Sequence, residues 1–367
     1  MTNNTTFDGK KYEPDSFRFY PLLFEPNLHP VVWGGNQLRP YKGLINNDEP
    51  IGESWEVSVI PSSVSVISNG IWKGKDLISV IDQYPESILG KQVNEKYNGK
   101  LPLLVKFIDA KQDLSIQVHP NDDFAQNEHG TSGKSEMWYV LKADQGSRLY
   151  AGFKRTVSSE ELKYRIKNGT LTEVLAEHIV KAGDVFYIPA GRVHSICGGV
   201  MLVEVQQSSD ITYRLFDYNR MGIDGKPRPL HIDLGVRAID YHVEKNYRSD
   251  YRECMNRAVQ IVESPYFAVR VMEISKPFHR NLMKYSSFII SVCIEGDCKI
   301  HVRKTDDVIL LREGCSVLIP AIIADYDVIP VNGKSRLLDT FIDNNERNVL
   351  DKAVRFFHRT KYNTELK

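Results

Sequence analysis

Gln117 and His119 stand two residues apart in the run Leu114-Ser-Ile-Gln-Val-His-Pro-Asn-Asp122, and each can offer a lone pair to a metal ion. In an extended strand, residues i and i+2 project from one face, so the two side chains leave the chain together. Pro120 ends or turns the strand directly after them. Two ligands do not enclose a metal. Two further segments can complete the set: Gly133-Lys-Ser-Glu136 carries Glu136, and Tyr187-Ile-Pro-Ala-Gly-Arg-Val-His194 carries His194. Two imidazoles, a carboxylate and an amide oxygen suit zinc or another divalent first-row metal, and three protein ligands with an open position are the pattern of a catalytic site. Taken singly, His119 reads as a strand-end residue and His194 as a core histidine. Taken together, with Glu136 between them, they read better as a metal site.

Cationic side chains accompany this set. Lys134 precedes Glu136 by two residues and would share its strand face; it can act as a proton acceptor or hold an anion. Lys106 interrupts the apolar run Leu103 to Ile108, where the bland reading is a strand lysine with a solvated head. Arg214, in Thr212-Tyr-Arg-Leu-Phe216, has a planar donor fork and a permanent charge. Its bland reading is an ion pair with Asp210 or Asp217. Arg192, two residues before His194, either faces the same cavity or sits in an exposed turn.

Short strands must position these residues. Segments 17–24, 53–60, 101–108, 113–118, 137–141, 184–188 and 200–206 are rich in β-formers and punctuated by Pro, Gly, Asn or Asp. Many short strands with regular turns predict an all-β barrel or sandwich. Three helices are expected. One runs from Asp76 to Tyr84. A second region spans 158–175, opens on the capping-box pattern Ser158-Ser-Glu-Glu161 and is broken by Gly169 into two short helices; the third covers Asn345 to Phe357. A faint repeat links Gly183-Asp-Val-Phe-Tyr-Ile-Pro-Ala190 to Glu313-Gly-Cys-Ser-Val-Leu-Ile-Pro-Ala321. It suggests two related barrels, of which only the first keeps a metal site. The polar stretch 239–257 marks the boundary, giving domains over 1–245 and 246–367.

The 367 residues can bury a sizeable core. Lys plus Arg equals Asp plus Glu at 47 each, so nothing in the charge balance points to nucleic acid or an anionic membrane. The longest apolar runs, such as Phe288-Ile-Ile-Ser-Val-Cys-Ile294, are too short to span a bilayer, and the first residues lack a signal-peptide core. A cytoplasmic protein is expected. The five cysteines form no Cys-x-x-Cys pair, which argues against a disulfide framework and a thiolate zinc site. No Walker loop, dinucleotide fingerprint or nucleophile elbow is present.

The motifs Gln117-Val-His-Pro120, Gly133-Lys-Ser-Glu136, Tyr187-Ile-Pro-Ala-Gly-Arg-Val-His194 and Gln206-Gln-Ser-Ser-Asp-Ile-Thr-Tyr-Arg-Leu-Phe-Asp217 resemble type I mannose-6-phosphate isomerases of the cupin superfamily. Val32-Trp-Gly-Gly35, Gly52-Glu-Ser-Trp-Glu-Val-Ser58 and Leu101-Pro-Leu-Leu-Val-Lys106 agree, and the likeness runs in order from about Phe17 to Arg220. The resemblance implies two jelly-roll cupin barrels with short helical insertions. It implies one Zn2+ per chain on Gln117, His119, Glu136 and His194, with Arg214 and Lys134 catalytic and Lys106, Lys134 and Arg214 binding a phosphorylated hexose. The chain lacks room for the large helical domain of the longest family members and is similar to the short bacterial form. A monomer or weak homodimer is expected. The alternatives are another cupin chemistry, such as a metal-dependent oxygenase that consumes oxygen, or a sugar-phosphate-binding cupin without turnover.

Overall fold

A computed structural model describes residues 19–343 other than 46, 48 and 223, together with a small ribbon of β1 (Thr6–Phe7) and β2 (Lys10–Lys11). The chain is predominantly β. Its first half builds a six-stranded antiparallel sheet in the order β11 (Val185–Ile188), β8 (Glu136–Ala143), β13 (Val200–Gln207), β6 (Leu103–Ala110), β4 (Leu28–Gly35) and β5 (Ile51–Val57). A five-stranded sheet packs against it, in the order β10 (Leu175–Ile179), β9 (Arg148–Phe153), β12 (His194–Ile196), β7 (Ile116–Val118) and β14 (Tyr213–Phe216). Ile108, Val140 and Leu202 from the first sheet and Leu149, Ala151 and Ile196 from the second share one core.

β6 and β13 are buried on both faces, which is why they read as continuous apolar runs rather than alternating ones. Even-numbered residues of β13 face the five-stranded sheet. Met201, Val203 and Val205 face the opposite way, into a core that also holds Phe267, Val269, Phe288, Ile290 and Leu318 from the second half.

The second half forms a six-stranded sheet ordered β15 (Arg257–Glu263), β16 (Ala268–Ile274), β23 (Ser335–Phe341), β18 (Ile289–Glu295), β21 (Ser316–Ile319) and β3 (Leu22–Leu23). Opposite it lies a four-stranded sheet of β17 (Phe278–Asn281), β22 (Asp325–Pro330), β19 (Cys298–Val302) and β20 (Asp307–Leu311). The run β21-β18-β23-β16 repeats the run β11-β8-β13-β6, and β20-β19-β22-β17 repeats β10-β9-β12-β7. β3 belongs to neither copy: two leucines from near the start of the chain close the edge beside β21.

The expected strands are present within a few residues, except that 17–24 reduces to Leu22–Leu23 among the described positions. The helix Leu77–Gln83 starts at Asp76, whose carboxylate accepts the Ser79 N–H at 2.8 Å. Before the helix Ser159–Lys167, the Ser158 hydroxyl accepts the Glu161 N–H at 3.1 Å, the N-cap half of the capping box. Beyond Gly169 the second short helix is the four-residue 3-10 helix Leu171–Val174, after which the chain enters β10; Leu171, Val174 and Leu175 are buried in one core with Leu162 and Ile166. The expected helix at 345–357 lies outside the described residues. All five cysteines are free thiols.

Candidate metal centre and active site

The expected ligands meet between the two sheets of the first half. Gln117 on β7 stands directly opposite His194 on β12, His119 follows the end of β7, and Glu136 opens β8 on the facing sheet. His119, Glu136 and His194 are buried, and one ligand atom from each lies within 4.8 Å of the others; among the described residues no other such group of His, Cys, Asp and Glu occurs.

Hydrogen bonds behind the imidazoles set their tautomers. His119 donates Nδ1–H to the Ile211 carbonyl at 2.8 Å, and His194 donates Nδ1–H to the Arg192 carbonyl at 2.8 Å. Burial holds both rings below the ordinary histidine range, His119 down to about 3 with help from Lys134. Both rings are therefore neutral at pH 7, with Nε2 lone pairs facing inward. The Glu136 oxygens meet them: Oε2 lies 3.3 Å from His119 Nε2, and Oε1 lies 3.3 Å from His194 Nε2. Neither Glu136 oxygen nor His119 Nε2 has a hydrogen-bond partner. His194 Nε2 takes the Gln117 amide, while His119 Nε2 and both Glu136 oxygens converge as acceptors without a hydrogen-bond donor, an arrangement that a cation would relieve. The donor set fits a divalent metal. Gln117 turns its Nε2 toward His194 Nε2 at 3.3 Å, while its oxygen takes a bond from the Ser115 hydroxyl at 3.3 Å. A half-turn of the amide exchanges the two atoms.

A chain of buried charges extends from this cage. Lys134 Nζ lies 3.3 Å from Glu136 Oε2. Lys106 Nζ lies 3.3 Å from Glu53 and 3.7 Å from Glu204, and sits 4.8 Å above the Trp55 ring. Strand register explains the grouping, since Lys106 is opposite both Glu204 and Trp55, and Glu204 is also opposite Trp138. The Trp55 and Trp138 indoles donate to Glu53 at 2.6 Å and to Glu204 at 2.9 Å. Burial works to raise Glu53, but Lys106, the Trp55 indole and Lys134 outweigh it and hold the carboxyl below its usual range. Burial also opposes the charge on Lys106, but Glu53 and Glu204 raise its pKa. Glu204 moves the other way. Burial and then the charge of Glu136 push it above the ordinary carboxyl range.

Arg214 on β14 stands opposite Gln117, so its side chain leaves the sheet on the ligand side. The expected competitor for its charge is occupied: Asp217 pairs with Arg220 at 2.6 Å and with Arg228 at 2.6 Å. Among the described residues no carboxylate pairs with Arg214, and its buried Nε has no partner. Arg192 does not join the site. Its guanidinium bonds the Tyr187 carbonyl and Glu244 and lies over Tyr247. Sequence reasoning gave no role to Glu204, or to His29, which stacks on Trp55 at 4.4 Å. A lone Glu inside Val200-Met-Leu-Val-Glu-Val205 carries the same signal that singled out Lys106, a charge in a fully apolar strand.

The corresponding place in the second half is built differently. Where Gln117 faces His194, Arg280 faces Tyr326; where Glu204 lies between Lys106 and Trp138, Asp339 lies between Arg270 and Ser291. Arg280 and Asp339 form a buried ion pair at 2.6 Å, and Ser291 donates to the same carboxylate at 2.5 Å.

Residues 23–146 match the family model for the catalytic domain of type I phosphomannose isomerase. A mannose-6-phosphate isomerase of Streptococcus mutans is 33% identical over 307 residues, covering 83% of this chain and 94% of that protein. The chain belongs to the mannose-6-phosphate isomerase family. A probable mannose-6-phosphate isomerase of Bacillus subtilis is 36% identical over 77% of this chain and 88% of its own length. The crystal structure of the mannose 6-phosphate isomerase from Bacillus subtilis superposes with a TM-score of 0.77 at 31% identity, covering 87% of this chain and 99% of that one. The matched family segment includes Glu53, Lys106, Gln117, His119, Lys134 and Glu136. His194, Glu204 and Arg214 lie beyond it and join the site through the fold. Membership in an isomerase family sets aside the oxygenase and the non-catalytic sensor.

Proposed function

We propose that this enzyme interconverts mannose 6-phosphate and fructose 6-phosphate, with one Zn2+ held by His119, Glu136, His194 and the amide oxygen of Gln117. The observation that carries the metal is the cage itself: two neutral imidazole lone pairs and a carboxylate converge, and His119 Nε2 and both Glu136 oxygens lack a hydrogen-bond donor. The reaction moves a proton between C1 and C2 of an open-chain sugar through an enediol whose oxygens gain negative charge. Bound zinc would supply Lewis acidity for the sugar oxygens. Arg214, unpaired and half-buried, offers its donor fork to the enediolate or the phosphate. Lys134, beside Glu136, and Lys106, held between Glu53 and Glu204, line the same space and orient the substrate. Glu204, with its raised carboxyl, is suited to hold or return a proton.

The repeated strand order supports two cupin jelly-roll units over 1–245 and 246–367, with the metal site in the first. No helix among the described residues is long and apolar enough to cross a membrane, and a phosphorylated hexose is an intracellular metabolite; both suit a cytoplasmic enzyme. The test is a coupled assay of mannose 6-phosphate conversion before chelation, after chelation and after zinc is returned. Activity lost with the metal and restored with zinc is the expected result. Zinc-loaded protein without turnover would overturn the proposal.

A further inference from the structure

The second half contributes none of the residues in the site, yet it grips the strand that carries two of them. β5 brings Glu53 and Trp55 to Lys106. Its pairing with β6 slips between Trp55 and Val57, so Glu56 is the extra residue of a β-bulge. Glu56 turns away from the site into the seam between the halves. There one oxygen accepts Lys42 Nζ at 2.6 Å and the Ser54 hydroxyl at 2.6 Å, while the other accepts the Ser316 hydroxyl of β21 at 3.1 Å. Lys42 Nζ also donates to the Gly314 carbonyl at 2.6 Å. The side chains of Lys42 and Glu56 are each only 5% exposed.

The two residues flanking Trp55 are thus tied to each other on the back of the strand, and the tie is anchored to the second half. A buried ion pair is a poor source of stability, because dehydrating both charges offsets most of their attraction. Its chemistry is better suited to fixing a geometry, here the bulge that aims Trp55 and Glu53 at Lys106.

We propose that Glu56 is a positioning residue, and that the second half serves the reaction by holding the Glu56 bulge through Ser316 and Gly314, which sets the placement of Trp55, Glu53 and Lys106 in the substrate pocket. This rests on the reading of that pocket given above.

The experiment compares wild type, Glu56→Gln and Ser316→Ala, each loaded with zinc. It records kcat, KM, zinc content, Tm and acrylamide quenching of tryptophan fluorescence. Of the four tryptophans, Trp33, Trp72 and Trp138 are buried and Trp55 is partly exposed, so Trp55 dominates the quenchable fraction; Trp55→Phe identifies its share. Glu56→Gln is expected to lower kcat/KM by about tenfold or more, the scale of a small misplacement of binding groups. The loss should divide between kcat and KM, with full zinc content and altered Trp55 quenching. Ser316→Ala, which removes no charge, should give a smaller change of the same kind. A lower Tm with unchanged kinetics and unchanged quenching in both variants would overturn the proposal. If Glu56→Gln does not fold, wild-type kinetics and quenching in Ser316→Ala overturn it equally. If wild-type protein shows no isomerase turnover, the assigned reaction fails, and quenching in Ser316→Ala still decides the role of the bulge.

Discussion

Replacing Lys106 by methionine tests the charge chain where it is most concentrated. Its Nζ is buried 3.3 Å from Glu53 and 3.7 Å from Glu204. At an effective dielectric constant of about 20 these contacts are worth about 5 and about 4.5 kcal/mol of attraction, before the cost of dehydrating the charges. Removing the cation takes the counter-charge from buried Glu204 and part-buried Glu53 together, and breaking a buried pair in this way costs about 3–5 kcal/mol. The sign with pH follows from the carboxyls. In the wild type Glu53 is held below its usual range, so its contribution is present above the unfolded pKa and lost as pH falls through the folded one. In the variant the Glu53 carboxyl moves up and Glu204 rises further. Their protonation then favours the folded state at low pH, and this benefit is lost as pH rises. Urea denaturation of the zinc-loaded proteins should show a deficit of about 3–5 kcal/mol at pH 8 that narrows toward pH 5. A deficit under about 1 kcal/mol, or one that stays constant with pH, would refute the electrostatic reasoning.

Two further substitutions separate chemistry from structure. Glu204→Gln keeps the acceptor for the Trp138 indole but removes the ionisable proton; kcat should fall about 10²–10⁴-fold and one limb of the pH–rate profile should vanish, and a profile unchanged in shape would count against a proton role. Arg280→Met leaves Asp339 charged and unpaired in the second half. It should cost about 3–5 kcal/mol in denaturation experiments while zinc content and kcat stay at wild-type values, with part of the loss recovered by adding Asp339→Leu.

Gln117 and His119 were legible because a strand sends alternate residues to one face, and the motif around His194 supplied the partner that direct pairing on β12 then delivers. Glu204 was not legible, because a single carboxyl in an apolar strand announces a buried charge without naming its partner. Only the register of β13 against β6 reveals that the partner is Lys106. Arg214 was ambiguous for a related reason. Its bland reading offers Asp210 or Asp217 as a partner, and the structure places the Asp217 carboxylate on Arg220 and on Arg228, the latter eleven residues away in sequence. The helix Asp122–His129 is not among the three expected from sequence; the Asn121 side chain accepts the Phe124 N–H at 2.8 Å and caps it. The break at Gly169 is legible because glycine interrupts a helical pattern, and a short 3-10 helix, Leu171–Val174, follows it.

β3 has a consequence for how the molecule is made. Leu23 leaves the ribosome 294 positions ahead of Val317, the residue it pairs with. Throughout that interval the first pair of sheets can assemble around its own core while the two leucines wait without a strand to join. Such long-range pairings are the slow part of folding and expose strand edges in the meantime. The last edge closed in one copy is also one that another copy could supply, so overproduction at high concentration should favour chains that exchange their leading segments.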